Sequence, residues 1–354
     1  MSETGLEISR LFAGFRKPVI LALGGAETDR RALVNHLAGR ELIGPGVGLE
    51  AGQGFQTYED RFLTLLEGPR PGRSGAARRA YADLVLARLR AMRLKSERVN
   101  LVWYLVDSPA GRFTWLDRRL IHQMLNLGLP LALILTRVDR VGAGRLRALN
   151  RHISRWRPDL DIFEMADDPL AGTGQSASDR LINWSVEHLA AARRTAFVAG
   201  MGSAIEAKAH LGDRLAARHA AAAALAGLSP FPVPDLAFLA PNQTAMLARL
   251  ALIWNLDPPP DLARLLSLGA GNLGKMLAGN LLKLLPGVGG LIGGLVNVSV
   301  AAALTWGLGK AVNIQCEKFA RLARATGSAS VEDFLDVDAV APLVELYAET
   351  WEKD

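Results

Sequence analysis

Apolar runs of strand length, separated by amphipathic segments of helix length, constrain this chain more than any other feature. Residues 19–23, 99–106 and 129–135 carry few polar side chains, as parallel strands do when both faces of their sheet are covered. Residues 76–94, 115–127, 143–156 and 176–194 show helical periodicity between and after them. Shorter strands are expected at 61–66 and 161–165, and the glycine-rich segment 43–57 reads as a flexible loop. This alternation predicts an α/β domain with a doubly wound, mainly parallel sheet. From about residue 197 the strand pattern stops. Helices are expected near 201–228, 241–255, 259–269, 271–285 and 331–352, punctuated by proline clusters, so the second region reads as all-α. The expected division is an N-terminal helix at 1–16, the α/β domain at 17–195 and a helical domain at 196–354. A chain of 354 residues is long enough for two separate cores.

The stretch from residue 19 to 40, VILALGGAETDRRALVNHLAGR, has the layout of a phosphate-binding loop: strand, glycine pair, amphipathic helix. The template is G-x-x-x-x-G-K-[ST]. Gly24 falls on its first glycine and Gly25 follows. Asp29 stands where the second glycine belongs, Arg30 where the lysine belongs, and Arg31 where the hydroxyl residue belongs.

Residues 17 to about 195 resemble a translation-factor-related bacterial GTPase of the Era/HSR type. Five segments come in that family's order: the stretch just described, Thr57 in the glycine-rich loop, LLEGPR ending a strand, ILTRVD, and EMAD. The resemblance implies a P-loop GTPase-like fold. It makes Gly24, Gly25, Asp29, Arg30, Arg31, Glu67, Thr136, Arg137, Asp139 and Ala166 the candidate nucleotide-binding residues. Glu67 stands for the acid of Asp-x-x-Gly and Arg70 for its glycine. Thr136, Arg137 and Asp139 stand for the guanine-reading Asn/Thr-Lys-x-Asp. Ala166 belongs to the dipeptide that backs the base. The region 200–350, through FPVPDLAFLAPNQTAMLARLALIW, LLKLLPGVGG and AAALTWGLGKAV, is similar to a helical domain of unknown function that follows the GTPase domain in some bacterial proteins. Some relatives with that domain are membrane-associated.

Each motif departs from the family's pattern in a physically consequential way. Phosphate binding needs close amides, a cation and a magnesium-binding hydroxyl. A carboxylate at Asp29 placed about 4 Å from a phosphate oxygen repels it by about 4 kcal/mol at an effective dielectric near 20. Arg31 has no hydroxyl to offer magnesium. The expectation is a degenerate GTPase-like scaffold or regulator with no catalytic residue, weak or absent GTP or GDP binding, and no magnesium site. The alternative is an active GTPase with an atypical loop. Asp139 has two readings: reading the base, or capping the helix that follows.

Other residue types narrow the field. One cysteine, Cys316, excludes a disulfide framework, and the six histidines lack zinc-ligand spacing. Basic character is nearly all arginine, with lysine at eight positions; no nucleic-acid partner is expected. The first twelve residues do not form a signal peptide, which places the chain in the cytoplasm or on the cytoplasmic face of an inner membrane. The stretch 284–309 has 26 uncharged residues, seven of them glycine. It reads either as a helix buried in a bundle or as a segment meeting a membrane. A protein partner, a membrane surface and a second copy of the chain all stand open as partners.

Overall fold

The computed structural model describes residues 16–44, 54–69, 71–72, 74–93, 98–166, 177–227, 235–256, 293–326, 334–335 and 337–351. They form two compact units, one running to Ala204 and one starting at Ile205.

The first unit is a six-stranded sheet. Its strands are β1 (Val19–Gly24), β2 (Gln56–Glu59), β3 (Thr64–Glu67), β4 (Leu101–Asp107), β5 (Leu131–Thr136) and β6 (Asp161–Glu164), in the order β2-β3-β1-β4-β5-β6. All neighbours pair in parallel except β2 and β3, which are antiparallel at one edge. Helices α1 (Glu27–Ala38), α2 (Gly75–Arg93), α3 (Trp115–Asn126), α4 (Ala143–Trp156), α5 (Ala177–His188) and α6 (Ala191–Gly200) connect and follow the strands.

Burial explains why the central strands are so apolar. All six residues of β5 are buried, as are the first six of β4. Alternate side chains serve the two faces. Leu21, Leu23, Val102, Tyr104, Leu133 and Leu135 share one core with residues of α2, α3 and α4, such as Val85, Leu120 and Ile153. From the other face of β4, Trp103 meets Phe197 of α6 edge-on and donates its indole N–H to Ser185 of α5 at 3.2 Å. Thr114 and Asp117 form a capping box that starts α3.

Three boundaries differ from the sequence expectation. The end of the glycine-rich segment is strand: Thr57 sits on β2, an edge strand whose side chains alternate between half-buried and exposed. The following strand begins at Thr64, because Asp60 accepts the amides of Phe62 and Leu63 and turns the chain before it. The periodic segment 176–194 is two helices, broken at Leu189 and Ala190.

The second unit contains α7 (Ile205–Gly227), α8 (Asp235–Trp254), α9 (Gly293–Thr326) and α10 (Val337–Ala348). The helices expected at 259–269 and 271–285 lie outside the described residues. Ala216, Ala220, Met246, Leu250, Leu304, Leu308, Val312, Cys316, Val340 and Val344 build one core. Close approach needs glycine here: a Cβ on Gly309 would lie 2.6 Å from Ala216 Cβ and 2.8 Å from Met246 Sδ. Asn313, 1% exposed, satisfies three neighbours. It accepts from Trp254 Nε1 at 2.8 Å and donates to Ala209 O and Asp213 Oδ1.

The uncharged stretch falls partly within the described residues. Residues 284–292 lie outside the described residues, and 293–309 open α9. Ala302, Leu304, Thr305 and Leu308 are buried, and Lys310 pairs with Asp213 at 2.5 Å. Among the described residues, no helix is long and apolar enough to cross a membrane.

Candidate functional site

In a parallel sheet with helices on both faces, the crevice beyond the carboxyl ends of the strands is where ligands bind. The candidate residues gather there: Gly24 ends β1, Glu67 ends β3, Asp107 and Thr136 end β4 and β5, and Ala166 follows β6.

The β1–α1 connection is short. Only Gly25 and Ala26 separate Gly24 from Glu27, the first residue of α1. Asp29 and Arg30 are therefore helical, and the Arg30 amide donates to Ala26 O at 3.1 Å. The glycines have a packing reason to be glycine. Gly24 has φ +75°, and a Cβ on it would stand 2.2 Å from Leu105 O of β4. A Cβ on Gly68 would meet Leu23 Cδ2 at 2.1 Å. Gly24→Ala is therefore expected to destabilise the domain by about 2–3 kcal/mol, through a positive φ and a backbone clash. Urea unfolding without any nucleotide checks this; a wild-type midpoint would show that the loop relaxes freely.

Arg30 turns inward. It is 1% exposed, and its Nε donates to Oε1 of Glu67 (2% exposed) at 2.9 Å. Nη1 donates to Gly24 O at 2.7 Å and Gly25 O at 3.4 Å, and Nη2 to Gly68 O at 3.3 Å. One guanidinium thus ties the end of β1 to the end of β3. The second carboxylate oxygen of Glu67 lies 3.3 Å from the Tyr58 hydroxyl of β2. Burial pushes the nearby Tyr81 hydroxyl up to about 12, with the Arg30 charge acting against that shift.

A second chain of polar contacts crosses from α1 to β5. Thr136 Oγ1 donates to Asp29 Oδ2 at 3.1 Å. Arg137, left-handed at φ 55°, sets Nε 3.6 Å from the same oxygen and Nη2 2.5 Å from Asp107 Oδ1. Arg31 reaches away, its Nη1 3.4 Å from Gly44 O. Asp139 is exposed on a short 3-10 turn, Val138–Arg140. It does not cap α4, whose N-cap is Gly142. The turn is held beside the Ala166 segment, since Val138 N donates to Met165 O at 3.1 Å and Met165 N to Leu135 O at 2.8 Å. Arg70 lies outside the described residues.

Three participants were not among the sequence candidates. Tyr58 and Gly68 become visible only through the pairing of β2, β3 and β1. Asp107 had a readable signal, an acid closing an apolar parallel strand.

The residues can be tested against the group this fold class implies, a magnesium-bound guanine nucleotide. At the base end, an exposed Asp139 beside Ala166 fits. At the phosphate end the side chains are engaged with one another. The cation expected to face phosphate is inside the protein, the acid expected near magnesium is ion-paired to it, and Arg31 supplies no hydroxyl. Among the described residues, no group of three or more His, Cys, Asp or Glu is placed to hold a metal ion.

The first unit is a P-loop GTPase-like α/β domain by its strand order and its single antiparallel edge. No protein-family model matches the chain, and no curated protein matches it. It is similar over part of its length to solved GTPase structures. Era from Aquifex aeolicus, bound to GDP and aluminium fluoride, shares 16% identity over 49% of this chain, with a TM-score of 0.34. An Era structure with MgGDPNP and a segment of 16S ribosomal RNA shares 18%, again over 49% at a TM-score of 0.34. A probable GTP-binding protein, EngB, shares 12% over 48%, with a TM-score of 0.38 and 97% of that chain covered. The chain spans 56% and 58% of the two Era chains.

Proposed function

We propose that this protein is a non-hydrolysing GTPase-like scaffold or regulator, whose phosphate and magnesium positions are taken by its own Arg30 and Glu67. The observation that carries this reading is the buried Arg30–Glu67 pair with its three carbonyl contacts. Facing phosphate would require Arg30 to give up these bonds and leave the Glu67 carboxylate buried without its partner, at a cost of several kcal/mol. Two loop residues between strand and helix leave little backbone to cradle a phosphate. Magnesium has no hydroxyl ligand at Arg31 and no uncommitted carboxylate at Glu67, so the reading includes no magnesium chemistry.

Purified protein is expected to release phosphate from GTP no faster than buffer, with or without magnesium. Turnover that needs magnesium and is lost in Asp139→Ala would contradict the reading. One observation favours a second reading, binding of the guanine base without the phosphates: Asp139 remains exposed on a turn pinned to the Ala166 segment. Binding of guanosine that Asp139→Ala removes would support it.

A further inference from the structure

At the end of the sheet opposite Arg30, beneath the starts of β4 and β5, lies a cleft of about 460 Å³. That is within the size range of small-ligand sites, roughly 300–1,000 Å³. Among the described residues its lining contains Arg98, Asn100, His188 and Arg193, together with apolar residues such as Leu129 and Leu189, and no carboxylate. Arg98, Asn100 and Arg193 supply the donors, and local contacts fix Asn100 and Arg193. Asn100 Oδ1 accepts the Val19 amide at 2.8 Å, which orients the side-chain amide and leaves its NH₂ without an acceptor among the described residues. His188 is stacked on Trp184, and its Nδ1 lies 2.8 Å from Trp184 O, so the proton belongs on Nδ1. Arg193 hydrogen-bonds Lys17 O, and Arg98 pairs with no acid among the described residues. Burial lowers the affinity of the Arg193 guanidinium for its proton, and the neighbouring charges of Arg16 and Arg98 lower it further. Ala190, the N-cap of α6, also lines the cleft and gives that helix no side-chain cap.

We infer that this cleft binds a small organic anion. Its oxyanion group, carboxylate or phosphate, meets Arg98, Asn100 and Arg193, and its apolar body lies on Leu129 and Leu189. Like charges gathered with no compensating acid among the described residues repel one another, and an anion relieves that repulsion. The side-chain donors of Arg98, Asn100 and Arg193 call for acceptors from a ligand. The inference is independent of the proposed loss of hydrolysis, because the two sites lie at opposite ends of the strands.

Isothermal titration of the full chain with hexanoate, hexyl phosphate and inorganic phosphate, at constant ionic strength, tests it. Hexanoate or hexyl phosphate is expected to bind, and the tighter of the two identifies the oxyanion. Inorganic phosphate, lacking the apolar part, is expected to bind about tenfold more weakly than hexyl phosphate. Arg98→Gln changes an exposed side chain and is expected to weaken binding of the better probe about tenfold. Ala190→Asp puts a built-in carboxylate at the N-cap, so it is expected to raise the ligand-free Tm and abolish binding. Circular dichroism confirms that each variant is folded. No heat from either organic probe with folded wild-type protein, or binding that both variants leave unchanged, would overturn the inference.

Discussion

Arg30→Met alone is expected to destabilise the GTPase-like domain by about 3–5 kcal/mol, and Glu67→Leu alone by a similar amount. Each change leaves the other charge buried at 2% exposure or less without its counter-ion. Arg30→Met also leaves Gly24 O and Gly68 O without their donor. The double variant Arg30→Met/Glu67→Leu is expected to recover most of the loss, since both desolvation penalties disappear together. The coupling from urea unfolding of the four proteins should then exceed about 2 kcal/mol. Additive single effects would show that the two side chains do not depend on each other. The site would then have to be read as an open pocket with a movable arginine. A lysine cannot replace this fork of donors, so Arg30→Lys is expected to fall close to Arg30→Met.

Ala302→Glu is expected to unfold the helical unit, a loss of about 4–5 kcal/mol or more. Ala302 is 0% exposed and lies on α9, the helix that contributes Leu304, Leu308 and Val312 to the core. A carboxylate at this fully covered position loses its hydration. The same substitution separates the two readings of the uncharged stretch. In a bundle it collapses helical circular dichroism; at a membrane surface it would release an otherwise intact protein from lipid. Fractionation read beside circular dichroism gives the answer. Full helicity in a protein that merely leaves the membrane fraction would mean that α9 packs on lipid.

Strands β1, β4 and β5 were legible because burial on both faces demands a nearly unbroken apolar run, which no loop or exposed helix needs. Edge strand β2 was not. With the pattern half-buried then exposed, Gln56–Glu59 carries no apolar signal, and the glycines before it suggest a loop. Its order comes from pairing with β3, a contact that local sequence does not encode. The break between α5 and α6 escaped notice because the apolar periodicity runs through Leu189, which is itself buried. The placement of the candidate residues at one end of the sheet was readable: Gly24, Glu67 and Thr136 end strands in motif order, and Asp139 lies on the turn after β5. The direction of their side chains was not. Spacing places a cation at Arg30 but cannot say whether it faces a phosphate or a carboxylate 37 positions along the chain. The contact of Asp29 with Thr136, 107 positions away, is equally a product of the finished sheet. Asp29 had suggested repulsion of a ligand; in the fold its charge is used against Arg137.

Arg30 and Glu67 are proposed to fill the end of the crevice where a GTPase would hold phosphate. Calorimetric titration of the full chain with GTP and GDP, with and without magnesium, tests this most directly. The expected result is no saturable binding of either nucleotide below about millimolar concentration, and no effect of magnesium. Micromolar binding of GTP that magnesium strengthens would contradict it, because that could arise only if Arg30 had released Glu67 and turned to face the phosphates.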